Sequence, residues 1–205
     1  MKTIDLSHHI YNGAPFYPTD PPIRIIEEKR IDKDNTLLHS IHFGTHSGTH
    51  LDVPAHVIER GKRLSDFSLN AFFGLAIKLD KTNYNQINKQ KEMIDAVIFD
   101  TDWYKNIHVP DTFFGKDRPK IPTELLQIII KNNIKIFGCD LPSVDASGSK
   151  DKPVHKTLLG NDVIIYESLT NLNQLPMLVP FQFYGFPLSL KDLDGSPVRA
   201  VALID

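Results

Sequence analysis

The chain has 205 residues, 41% of them hydrophobic and 23% charged, and a formal net charge of −2. Near-neutrality gives no broad field to draw in nucleic acid or an anionic membrane, and the length is enough to bury the core of a single domain spanning 1–205. The one cysteine, Cys139 in the apolar run IKIFGCD, excludes an internal disulfide and a C-x-x-C metal site and reads as a buried thiol in a reducing setting.

The opening MKTIDLSHHIYNGAPFYPTD has no apolar core of the kind a signal peptide needs, and no later run reaches the length of a bilayer span, so a cytoplasmic location is expected. TIDL reads as a short first strand, and the Pro- and Gly-rich residues 11–22 as an ordered loop. Residues 23–29 and 36–43 are strand candidates, and FGLAIKLD (73–80) and DAVIFDTD (95–102) are apolar runs expected as buried strands. Pro122-Thr123-Glu124 opens a helix over 122–132, followed by a strand at 135–140 and a short helix at 154–159. Residues 162–168, 179–186 and 198–204 are further strand candidates, with DGSP (194–197) as a turn between the last two. Strands outnumber helices and do not alternate regularly with them, which predicts an α/β domain with a mixed sheet rather than a doubly wound one.

Five of the nine histidines, His39, His42, His46, His50 and His56, fall within 18 residues. The dense part reads HSGTHLDVPAH, placing His46, His50 and Asp52 within seven residues and His56 four further on. Gly48, Thr49, Val53 and Pro54 oppose a helix here. The even positions from 42 to 56 carry His, Gly, Asp and Pro and the odd ones mostly apolar or small residues, which suggests one functional and one packed face of an extended segment. A straight strand would hold residues four apart about 13 Å from each other, too far for two imidazoles whose nitrogens must each lie about 2.1 Å from one ion. The chain is therefore expected to bend between His46 and His50, with Gly48 as the permissive residue. Imidazole and carboxylate without thiolate suit a divalent metal, Zn²⁺ ahead of Mn²⁺.

HSGTHLDVPAH resembles the signature of the cyclase/kynurenine formamidase family of metal-dependent hydrolases. IDLSHHIYNGAPFYPTDPP is similar to that family's opening segment, GCDLPSVD (138–145) to its central strand and loop, and DGSPVRAV (194–201) to its C-terminal strand. The resemblance implies a swivelling β/β/α fold, a homodimer or homotetramer, and two metal ions per subunit. It places His46, His50 and Asp52 at the first ion, makes Asp52 a bridge to a second completed by His155 and Glu167, and gives His56 the role of catalytic acid–base.

The implied substrate is a small molecule, an aryl formamide such as N-formylkynurenine from tryptophan degradation. A cyclic amide of the isatin type, a lactone or another carbonyl compound is the alternative, and a non-catalytic metal-binding protein is a second. Phe16-Tyr17 stand where formamidases of the family often have Trp, and Phe99-Asp100-Thr101-Asp102-Trp103 where an Arg-Thr pair is usual. Phe16, Tyr17 and Trp103 are candidates for an aromatic wall around the substrate.

Overall fold

The computed structural model describes residues 1–204. Its strands in chain order are β1 (Lys2–Asp5), β2 (Arg24–Lys29), β3 (Leu38–His42), β4 (His50–Asp52), β5 (Phe73–Leu79), β6 (Ala96–Phe99), β7 (Ile136–Cys139), β8 (Ile164–Glu167), β9 (Phe181–Tyr184), β10 (Gly195–Pro197) and β11 (Val201–Ile204). Four α-helices accompany them among the described residues: α1 (Ile31–Asp34), α2 (Pro110–Phe113), α3 (Thr123–Lys131) and α4 (Pro153–Leu159). Nine strands form one mixed sheet in the order β1-β11-β9-β5-β6-β7-β8-β4-β10. β5 to β8 run parallel, as buried strands joined by crossovers do. β2 and β3 form a separate two-stranded ribbon with Ile26, Leu38 and Ile41 exposed.

Successive side chains of a strand point to opposite faces, and the continuous apolar runs of β6 to β8 therefore feed two cores. Ala96, Ile98, Ile164 and Tyr166 join Leu6, Leu51, Val53 and Phe183 on one face. Val97, Phe99, Phe137, Cys139 and Ile165 lie on the other, under Leu125 and Ile129 of α3 and Leu158 of α4. Each fully buried Leu, Ile or Phe of this kind contributes about 1.5–3 kcal/mol. The same alternation decides where polar side chains go. Leu51 faces the first core, so its neighbours His50 and Asp52 face the side of Ile165 and Glu167. In the antiparallel β4–β8 pair, His50 stands directly opposite Glu167.

The expected strands and the two expected helices form within three residues of their bounds. Two expectations need correction. DGSP is not a turn: Gly195–Pro197 is the edge strand β10, paired antiparallel with β4 through Gly195↔Asp52 and Pro197↔His50. Nor do the even positions from 42 to 56 share one face, because β3 belongs to the ribbon and the main sheet is rejoined only at His50. His39 and His42 are exposed on that ribbon, outside the main sheet that carries His50.

Candidate metal centre

Between the ribbon and β4 the chain turns tightly, with Ser47 N donating to Gly44 O at 3.1 Å. Gly48 has φ +64°, and a Cβ there would come 3.2 Å from Ile10 Cγ1. That residue makes the bend which the four-residue spacing demanded. His46 and His50 face the same place, their ring centroids 5.2 Å apart. Pro54 then starts a single 3₁₀ turn, Pro54–His56, which brings the His56 ring to within 4.1 Å of His46 and 5.4 Å of His155, centroid to centroid.

Asp52 is at the middle of the cluster, fully buried on β4. Two sets of donor atoms converge on it, one from His46 and His56 and one from His50 and Glu167, with the atoms of each set within 4.8 Å of one another. His155 approaches from α4, its Nε2 3.4 Å from Asp52 Oδ2 and 3.2 Å from Glu167 Oε1. The six residues singled out in the sequence, His46, His50, Asp52, His56, His155 and Glu167, are thus neighbours in space.

Their orientation is fixed by hydrogen bonds at the back of the rings. His50 Nδ1 donates to Gly48 O at 2.9 Å, and His155 Nδ1 donates to Asp145 Oδ2 at 2.6 Å. Both rings therefore turn Nε2 toward the carboxylates, the arrangement that aims an imidazole lone pair at a metal. Asp145 also accepts from the backbone N–H groups of Val154 and His155, which ties the first turn of α4 to the same carboxylate. Glu167 accepts from Val144 N at 2.7 Å. Both ring nitrogens of His46 face carboxylates, Nδ1 2.6 Å from Asp52 Oδ1 and Nε2 2.9 Å from Asp194 Oδ2.

Asp145 and Asp194 are the members that sequence reasoning missed. Asp194 immediately precedes β10, and Val53 N donates to its carbonyl at 3.1 Å, which stitches the residue to the end of β4. The signal was present in the DGSP block, but a turn reading gave the acid no task. Asp145 closes the GCDLPSVD block ten residues before His155, a separation that carries no periodicity.

The electrostatics of the cluster favour positive charge. Burial pulls the His46 imidazole down, yet Asp52 and Asp194 raise its pKa to about 10. Burial likewise opposes charge on His155, and Asp145, Asp52 and Glu167 carry it well above the usual histidine range. Burial pushes the Asp52 carboxyl up, but His46, His155 and His50 hold it well below the usual range. Glu167, raised by burial and by Asp52, is brought down to about 2 by His155 and His50. Hydrogen bonds from His46 and His56 hold the partly exposed Asp194 low as well.

One atom makes the demand for a cation explicit. Asp52 Oδ2 is buried and accepts no hydrogen bond among the described residues. A buried carboxylate oxygen without a donor is costly, and a cation held by Asp52, His50, His155 and Glu167 would relieve that cost. The donor set of imidazole and carboxylate, free of thiolate, fits a divalent metal.

Two cavities open from the cluster. A cleft of about 100 Å³ is lined by His46, His50, His56, His155, Glu167 and Lys152 among others. A larger cavity of about 290 Å³ shares Tyr17, His46, His50 and Pro142 with it. Phe16 and Tyr17 line the larger cavity, as expected of an aromatic wall. Trp103 does not: it packs in the second core and donates from Nε1 to Phe113 O at 3.0 Å, while Phe113 and Phe114 supply the wall instead.

The Cyclase family model matches residues 4–146. A kynurenine formamidase of Geobacillus thermodenitrificans is 30% identical over 96% of this chain and 95% of its own length. An uncharacterized protein of Methanocaldococcus jannaschii is 34% identical over 100% of both. Among solved structures, an isatin hydrolase bound to the product analogue thioisatinate superposes with a TM-score of 0.87 at 21% identity, covering 99% of this chain and 92% of that one, which fixes the fold as that of a mixed sheet with few helices. Among the described residues no helix is long and apolar enough to cross a membrane. The family match over most of the chain, the full-length relatives and the cluster around Asp52 lead to one conclusion: the chain belongs to the cyclase family and is a metal-dependent hydrolase.

Proposed function

We propose that the chain hydrolyses the carbonyl–nitrogen bond of an aromatic amide, an aryl formamide such as N-formylkynurenine. The observation that carries this reading is the orphaned Oδ2 of Asp52 within a cluster whose His46 and His50 line an aromatic cavity. The kynurenine formamidase named above supports the substrate class. His46, His50, Asp52, His155 and Glu167 would hold two divalent ions, with Asp52 shared between them and Zn²⁺ preferred to Mn²⁺. Bound there, such ions supply Lewis acidity, lowering the pKa of water and polarising the substrate carbonyl.

The chain's own residues do the rest. Gly48 O and Asp145 fix the rings of His50 and His155 before any ion arrives, so little reorganisation is needed. His56 has the most accessible ring of the cluster, 21% exposed against 16% for His46 and 5% or less for His50 and His155. It is suited to take a proton from the attacking water and give it to the leaving nitrogen as the C–N bond breaks, yielding a carboxylate and an amine. Its Nδ1 lies 3.5 Å from Asp194 Oδ2, which leaves Nε2 as the atom that carries the proton.

A second reading, a cyclic aryl amide of the isatin type, is favoured by the likeness to isatin hydrolase and by the absence of Lys and Arg from the described lining of the larger cavity. The test is to assay N-formylkynurenine and isatin on protein purified without chelator, with metal content measured in parallel and again after chelation. Turnover of the first that is lost with the metal supports the main reading. Turnover of isatin alone selects the second, and no chelator-sensitive turnover of either refutes both.

A further inference from the structure

The two cavities beside the cluster differ in charge. Lys152 lines the smaller, metal-side cleft together with the acids Asp20 and Glu167, the latter a candidate metal ligand. The larger one has walls of Phe16, Tyr17, Phe113 and Phe114, and no Lys or Arg among its described lining residues. Its one acid, Asp5, is already held by Arg199 through a two-point contact of 2.8 and 2.6 Å. An anionic group entering this space would find no Lys or Arg, and the His46 cation is already engaged by Asp52 and Asp194; it would lose its hydration, a costly transfer.

His8 is part of that wall. Its backbone N–H donates to Thr49 Oγ1 at 2.9 Å, which anchors the residue one step from β4. Its Nε2 is buried and has no hydrogen-bond partner among the described residues. An imidazole nitrogen in that condition is a standing cost, relieved when a ligand supplies the missing partner. Burial, with His108 nearby, brings the ring pKa down to about 4, so at neutral pH the group is uncharged and can give or take a hydrogen bond according to its tautomer.

We propose that the larger cavity receives the uncharged aromatic end of the substrate, and that His8 determines specificity there by hydrogen-bonding a neutral polar substituent on the ring. An anionic arm has to leave through the other lobe, toward Lys152. The proposal rests on the reading that the cluster cleaves an aryl amide, since that places the ring in this cavity when the carbonyl is at the metals.

The metal-replete enzyme is to be assayed with formanilide, para-hydroxyformanilide and para-carboxyformanilide. The hydroxy compound should exceed the carboxy compound in kcat/KM by about tenfold or more, mainly through KM. In His8→Phe the ratio of hydroxy to unsubstituted substrate should fall about tenfold, the worth of one hydrogen bond. His8→Gln, which keeps a neutral group able to donate and accept, should restore most of that ratio. Equal use of the hydroxy and carboxy substrates, or a His8→Phe loss that is the same for all three, overturns the proposal.

If no formanilide is cleaved, the hydrolase reading fails on its own account, and the cavity is judged by binding. The affinities of para-hydroxyaniline and para-carboxyaniline for the wild type and the two variants, followed by NMR titration, must then show the same order and the same dependence on residue 8. Indistinguishable affinities overturn it.

Discussion

Asp194 accepts a hydrogen bond from Nε2 of His46 at 2.9 Å across 148 residues of sequence, and the same Oδ2 lies 3.5 Å from Nδ1 of His56. One carboxylate therefore touches both rings on the solvent side of the cluster. Asp194→Asn keeps the shape and removes the charge. Its kcat should fall by about 10–100-fold, the usual cost of losing a carboxylate behind a working histidine, while metal content by elemental analysis stays near that of the wild type. Unchanged kcat would remove Asp194 from the proton path.

His56→Ala separates chemistry from metal binding. The variant should hold its metal and lose about 10²- to 10⁴-fold in turnover, the range of general acid–base help. Full activity would end the assignment of His56 as the proton carrier.

Asp52→Ala should lose metal and turnover together. The buried histidines around Asp52 are stabilised as cations by it, and breaking such buried pairs costs about 3–5 kcal/mol. A denaturant titration alongside elemental analysis checks both effects. Retention of a full metal complement would contradict the central place given to this residue.

Gly195→Ala tests the seam between β10 and the cluster. An added Cβ would lie 2.6 Å from Leu51 O and 2.7 Å from His46 Cε1, inside van der Waals contact. The strand pairing or the His46 ring has to give way, at a cost of about 1–3 kcal/mol. A lowered Tm with reduced metal content is expected, and a variant identical to the wild type in both would show that His46 has room to spare.

The pH dependence of stability carries a mark of His8. Burial and His108 lower its pKa from 6.5 to about 4, with His9 acting the same way and Asp5 in the opposite sense. Its folded pKa is depressed, so the contribution is complete above the unfolded value and disappears as acid is added from pH 6.5 toward 4. Over that window the wild type should lose about 1–3 kcal/mol more than His8→Gln. Parallel acid limbs in denaturant titrations of the two proteins would show that residue 8 does not titrate between these values.

Much of this molecule can be read from its sequence because the physics is local. Continuous apolar runs such as 95–102 had to be buried strands, and β6 forms there. Gly48 had to bend the chain because His46 and His50 cannot otherwise meet, and its φ is positive. What could not be read is set by tertiary pairing. His39 and His42 look like members of the histidine cluster in the sequence, yet pairing of β3 with β2 carries them to an exposed ribbon. Nothing local in GSP distinguishes a turn from a three-residue edge strand; only its partner β4 decides. His155 and Glu167 came from family likeness, since the sequence separation between them and Asp52 bears no relation to their distances in the fold.

The pairing of β10 with β4 also constrains the order of assembly. Residues 46–56 precede their neighbours, because β4 is flanked by β8 and β10, whose residues are synthesised more than a hundred positions later. Closing loops of that length precedes any reward from the contacts they form. A growing polypeptide that has reached Glu167 holds all six cluster residues, but His46 still lacks the acid behind it and one edge of β4 is bare. Competence for catalysis consequently waits on the segment that carries Asp194 and β10, long after the histidine motif itself has been made.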